Sequence, residues 1–172
     1  MTFDRDRVER LLADAAQRLT GEWLLVGGAA AAVWFAATRT TEDVDLFGLG
    51  GTNAERIAVM DLAEAVGLPV EVVNSTADYF VRRIADWRAH LVVLRTGPHA
   101  TIYRPSATLF LLLKARRLSA TDLADCVALI AHCRISGEAI DGARVREAIV
   151  TSAPTDDPDL AARRDALVAA LA

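Results

Sequence analysis

Lysine is almost missing from this chain of 172 residues: Lys114 is its single lysine, and all the other Lys/Arg cations are arginines. Cysteine is nearly as scarce. Cys126 and Cys133 fall in one predicted helix, about two turns apart along one face and beyond the reach of a disulfide, so no disulfide framework holds the fold. Free buried thiols predict a reducing, cytoplasmic setting. Also missing is an unbroken apolar run of the roughly 20 residues that a membrane span requires, which predicts no membrane partner. The most apolar stretch, residues 23–37, is interrupted by Gly27 and Gly28. Residues 1–7 alternate charges and lead into no apolar segment, unlike a signal peptide. Excess positive charge is absent: a net charge of −4 and a pI near 5.4 exclude a global field for gripping long nucleic acid, so an RNA partner would have to be held locally. Repeats and low-complexity linkers are absent as well.

What is present is enough apolar sequence, 53% of residues, to build a core in one domain. Val8, Leu11, Leu12, Ala15 and Leu19 recur at helical spacing, so residues 4–19 are predicted helical, with Gly21 ending the helix. A strand over 22–26, a glycine turn and an alanine-rich helix over 29–37 follow, then a strand over 42–47 closed by Gly48, Gly50 and Gly51. A helix capped by Asn53 runs to Val66, a strand covers 69–73, and another helix covers about 76–88. Thr96-Gly97-Pro98 predicts a hairpin between strands 90–95 and 99–103. Beyond Pro105 the signals are helical: Ser106, Ser119 with Asp122, Asp141 and Asp157-Pro158 each mark a helix start. The expected fold is α+β, a mixed β-sheet flanked by helices over residues 1–104 followed by a helical subregion, residues 105–172, packed on that core.

Asp43-Val44-Asp45 is the first candidate for chemistry. A strand places residues two apart on one face, so both carboxylates project together while Val44 and Leu46 turn to the core. Two such acids repel unless a cation joins them, and hard divalent ions, Mg²⁺ above all, bridge carboxylates to substrate phosphates. Gly27 and Gly28, at a strand-to-helix junction, leave backbone N–H groups bare to a phosphate.

The segment from Val26 to Phe47, read as Gly27-Gly28, a short helix, Arg39-x-Thr41 and then Asp43-x-Asp45, resembles the signature of minimal nucleotidyltransferases of the polymerase-beta-like superfamily. The resemblance implies two aspartates on a central strand, a third carboxylate on a neighbouring strand, Mg²⁺, and transfer of a nucleoside monophosphate from a nucleoside triphosphate with release of pyrophosphate. Glu71, on the next expected strand, is either that third ligand or a solvent-facing residue. The helical half, with Lys114, Arg116 and Arg117 followed by Asp122-x-x-Asp125, is similar to the pattern of nucleotidyltransferase toxins from abortive-infection toxin–antitoxin systems. That similarity implies a tRNA or protein acceptor and an antitoxin protein as partner; a small molecule such as an aminoglycoside is a further possible acceptor. Lys114 is either a rotatable ammonium for a phosphate or base, or a residue snorkelling from an apolar helix. Asp125 is placed to orient Lys114 or Arg116, and Arg39 and Thr41 either steady phosphate or tie the loop. The chain departs from the pattern at Gly28, where many members carry serine.

Two other readings compete. A dinucleotide-binding module begins with a similar strand, glycine turn and helix, but the G-x-G-x-x-G spacing is not met. A nucleotidyltransferase fold with inert aspartates, acting as a binding or regulatory protein, keeps the architecture without the catalysis. His90, His99 and His132 have no metal spacing, and Cys126, His132 and Cys133 on one helix make poor joint zinc ligands. Trp23, Trp34, Phe35 and Trp87 are expected in the core, and Arg82, Arg83, Arg88, Arg95 and Arg104 on the surface or along an acceptor groove.

Overall fold

A computed structural model describes residues 1–172, which divide into two compact units, Met1–Pro105 and Ser106–Ala172. The fold is α+β, with a five-stranded mixed sheet and eight helices. No helix is long and apolar enough to cross a membrane.

In the first unit, α1 (Arg5–Arg18) starts where Asp4 accepts a hydrogen bond from the Arg7 amide at 2.9 Å, satisfying one of the donors that a helix start leaves orphaned. Strands β1 (Gly21–Val26), β2 (Val44–Gly48), β3 (Val73–Asn74), β4 (Leu91–Thr96) and β5 (Ala100–Pro105) assemble in the order β3-β2-β1-β5-β4. β1 pairs antiparallel with β2 and parallel with β5, and β2 pairs parallel with β3. The expected hairpin forms as β4 and β5, antiparallel. Gly97 is required in its turn: a Cβ there would stand 1.9 Å from the Ala16 carbonyl oxygen.

One face of the sheet, carrying Trp23, Leu25, Val44, Leu46 and Ile102, packs with Val8, Leu12 and Ala15 of α1, with Ala29, Ala30 and Val33 of α2 (Gly27–Trp34), and with Val59 and Leu62 of α3 (Asn53–Ala65). Leu25, Val44, Leu46 and Ile102 are wholly buried, and each such side chain contributes about 1.5–3 kcal/mol. That total fixes the register, because a slip by one residue would turn both aspartates into the core.

Gly27 and Gly28, expected as a turn before a helix over 29–37, are instead the first residues of α2, which ends at Trp34, and beyond β2 the sequence expectations fail at three more places, each for a local reason. Thr52, not Asn53, caps α3: its hydroxyl accepts from the Glu55 amide at 3.2 Å while Glu55 accepts from the Thr52 amide at 2.7 Å, a reciprocal box. The strand expected over 69–73 shrinks to Val73–Asn74, because the Val72 amide donates to the Pro69 carbonyl and closes a turn. The helix expected over 76–88 survives only as α4 (Asp78–Val81) and a 3-10 turn, Trp87–His90, after Asp86 enters the left-handed region at φ 56°.

The second unit is helical throughout: α5 (Ala107–Ala115), α6 (Ala120–Ser136), α7 (Gly142–Val150) and α8 (Pro158–Ala170). Ser106, Ser119, Asp141 and Asp157 each accept a hydrogen bond from an amide of the following turn, as their side chains predict. Gly137, at φ 78°, ends α6 in the left-handed conformation favoured by glycine.

Candidate active site

Asp43 directly precedes β2 and Asp45 is its second residue, and exposure alternates from Asp43 to Leu46 as the spacing predicts, after which Phe47 and Gly48 are buried as well. Val44 and Leu46 are wholly buried, Asp45 is half-buried and Asp43 is exposed. Antiparallel pairing sets Asp45 opposite Val26, the last residue of β1, so its carboxylate meets the start of α2. A Cβ on Gly27 would stand 2.7 Å from Asp45 Oδ2, and Gly27 adopts φ 69°, so both space and backbone call for glycine.

The next residue extends the arrangement. A Cβ on Gly28 would lie 2.9 Å from Thr41 Oγ1 and 3.3 Å from Arg39 Nη2. Thr41 Oγ1 in turn donates to Asp43 Oδ1 at 3.2 Å. The two carboxylates, the two glycines, Thr41 and Arg39 therefore form one continuous set of neighbours, all carried by residues 27–45. Thr41 is held from behind: its amide donates to the Phe3 carbonyl at 2.9 Å, and the Phe3 amide donates to the Thr41 carbonyl at 2.7 Å. Phe3 is 1% exposed, so burial of its ring anchors the segment that carries the site. Arg39 donates to the Thr40 carbonyl, which ties the loop on which it sits.

No family model, no curated protein and no solved structure matches this chain. The chemistry must be read from the residues themselves.

Glu71 does not join the acids. It lies exposed in the turn before β3, outside the paired residues Val73 and Asn74, and no metal-binding group of three acids forms. The side chain that the fold sets beside Asp45 is Asn74, whose Oδ1 accepts from the Thr76 amide at 3.1 Å. Sequence reasoning missed it because the pairing depends on where the Pro69 turn ends. The end of the apolar run at Val72-Val73-Asn74 was the only signal for it.

No group of three or more His, Cys, Asp or Glu side chains is arranged to hold a metal ion. Asp43 and Asp45 alone do not make a closed metal cage. Two carboxylates beside a bare helix start do fit Mg²⁺, which usually keeps part of its water and completes its shell with substrate phosphate. The donor set is all hard oxygen, which disfavours metals that prefer thiolate or imidazole.

In the second unit Lys114 is committed to two acids. Its Nζ lies 2.7 Å from Asp122 Oδ1 and 3.1 Å from Asp125 Oδ2, with Phe110 5.6 Å below. Asp122 also accepts from Arg117 Nε at 2.9 Å, Arg117 Nη2 at 3.1 Å, the Ser119 amide at 3.0 Å and Ser119 Oγ at 2.9 Å. Burial alone would raise its pKa, but the hydrogen bonds from Arg117, Lys114 and Ser119 outweigh that and hold the carboxyl well below its ordinary value. Arg116, exposed, has no share in this network, and Arg117 takes that place. Asp122 is thus a cap and an ion-pair partner at once. Behind it Cys126 is wholly buried, and loss of solvent pushes its thiol up to about 12.

The five arginines expected on the surface or along an acceptor groove have protein partners. Arg82 and Arg88 donate to the Leu49 carbonyl at 3.1 and 2.9 Å and stack on Trp87, tying the glycine-rich loop after β2. Arg83 stacks on Tyr79, Arg95 pairs with Glu9 at 2.7 Å, and Arg104 stacks on Trp34 at 3.8 Å. Trp23 and Trp87 are buried as expected, while Trp34 and Phe35 are half-buried.

Proposed function

We propose that the chain is a Mg²⁺-dependent nucleotidyltransferase whose first unit has the polymerase-beta-like core, moving a nucleoside monophosphate from a nucleoside triphosphate to an acceptor hydroxyl on RNA or protein. One observation carries this reading: Asp45, Gly27, Gly28, Thr41 and Asp43 are consecutive neighbours, which sets paired carboxylates beside a helix start whose first two residues carry no side chain of their own. In this reading backbone N–H groups at Gly27 and Gly28 receive the outer phosphates. Asp43 and Asp45 would hold Mg²⁺, which when bound neutralises phosphate charge and lowers the pKa of the attacking hydroxyl. Thr41 fixes the Asp43 carboxylate by its hydrogen bond, and Arg39 adds positive charge beside Gly28. The acceptor oxygen bonds to the α-phosphorus as the bridging α–β bond breaks, and pyrophosphate departs. Lys114 is left out of this account, since Asp122 and Asp125 already engage its ammonium.

A second reading, an inert nucleotidyltransferase-fold binding protein, is favoured by the lack of a third acid beside the pair. Incubation with Mg²⁺, each α-labelled nucleoside triphosphate and bulk cellular RNA or protein separates the two. Label transfer that disappears in Asp45→Asn supports the enzyme, and equal labelling by both forms removes the catalytic claim. Nucleotide binding without transfer selects the inert reading. Stable co-purification with the product of an adjacent gene would support the antitoxin partnership that the toxin resemblance implies.

A further inference from the structure

The β2–β3 pairing sets Asn74 beside Asp45 on the same face, half-buried, at the strand end where the two acids lie. A carboxamide has one acceptor oxygen and two N–H donors. Here the oxygen is already used: Asn74 Oδ1 accepts from the Thr76 amide at 3.1 Å, an Asx turn that fixes which way the amide faces. The NH₂ group therefore points away from the turn, and no protein acceptor takes it up. Its neighbour across the register is the half-buried Asp45, one of the two acids.

Resting on the nucleotidyltransferase reading, we infer that Asn74 is a phosphate-binding residue of the site, whose NH₂ donates to an oxygen of the substrate's polyphosphate chain. Donors matter here because Asp43 and Asp45 are acceptors only when ionised and repel phosphate. A neutral donor beside them holds the anion without competing for the cation. A carboxylate in the same place would favour cation binding and oppose phosphate.

Asn74→Asp removes the NH₂ group and adds a negative charge, while Asp keeps the oxygen that accepts from Thr76 and so keeps the turn; Asn74→Ser removes the NH₂ group without adding charge. Calorimetry reads two quantities: affinity for Mg²⁺-tripolyphosphate, which avoids any choice of base, and affinity for Mn²⁺ alone. For Asn74→Asp, tripolyphosphate affinity should fall by more than about tenfold, the loss of one hydrogen bond to a charged group plus repulsion by the new carboxylate, while Mn²⁺ affinity rises. Asn74→Ser, which also supports such a turn, should weaken tripolyphosphate binding with Mn²⁺ binding unchanged. Tripolyphosphate affinity unaltered in both variants, in a protein whose binding is lost in Asp45→Asn, would overturn the role of Asn74 and leave the wider reading standing. Absence of Mg²⁺-tripolyphosphate binding by the unsubstituted chain would overturn both.

Discussion

Asp45 Oδ2 fills the space in front of Gly27, 2.7 Å from where a Cβ at that position would stand. Gly27→Ala must therefore push the carboxylate aside, and it must also hold a non-glycine residue at φ 69°, which costs about 1–2 kcal/mol. The expected outcome is a stability loss of that size in urea unfolding, with a larger proportional loss of Mg²⁺-tripolyphosphate binding. Gly97→Ala serves as the contrast, since its Cβ would meet the Ala16 backbone rather than an acid. That change should lower stability with binding by the folded fraction intact. Binding by Gly27→Ala equal to that of the unsubstituted chain would separate Asp45 from the site.

Asp122 and Arg117 contribute unequally to their ion pair. The Asp122 side chain is 1% exposed and Arg117 is 78% exposed. Removing the acid leaves the nearly buried Lys114 with Asp125 alone, so Asp122→Ala should cost about 3–5 kcal/mol. Arg117→Ala should cost less than about 1 kcal/mol, the range for a solvent-screened partner. Chemical denaturation of both variants checks the asymmetry, and equal losses would refute it.

The pH dependence follows from the same group. Its folded pKa lies below the ordinary carboxylate value of about 3.9, so Asp122 stabilises the fold at pH values above that value. The contribution is lost as pH falls below about 4 and Asp122 takes up a proton. The stability gap between the unsubstituted chain and Asp122→Asn should be constant above about pH 5 and narrow in more acidic solution. A gap that widened there would reverse the sign of the shift.

Cys126 and Cys133 are both buried, and the Cys126 thiol is pushed up to about 12, so little thiolate forms near neutrality. At pH 8 a maleimide should label neither cysteine in the native protein and both in urea. Rapid native labelling of Cys126 would show that the α6 face opens readily.

Local signals carried much of the fold. The caps at Ser106, Ser119, Asp141 and Asp157 act on amides two or three residues away, so their effect can be read without tertiary structure. The hairpin announced itself through Thr96-Gly97-Pro98. Alternation along β2 likewise exposed the acids while burying Val44 and Leu46. Of the two readings left open for Glu71, the exposed one holds, while Asn74 escaped notice because its place beside Asp45 depends on parallel pairing with a strand far away in sequence. Thr52 and Asn53 are both competent caps, and only the reach of Glu55 decided between them. The anchoring of Thr41 by Phe3 joins residues with no shared local pattern.

One carboxylate both seals the first turn of α6 and grips the ammonium of Lys114. Fraying of that helix end thus loosens the lysine, which is left leaning on Asp125, and whatever steadies the one will quiet the other.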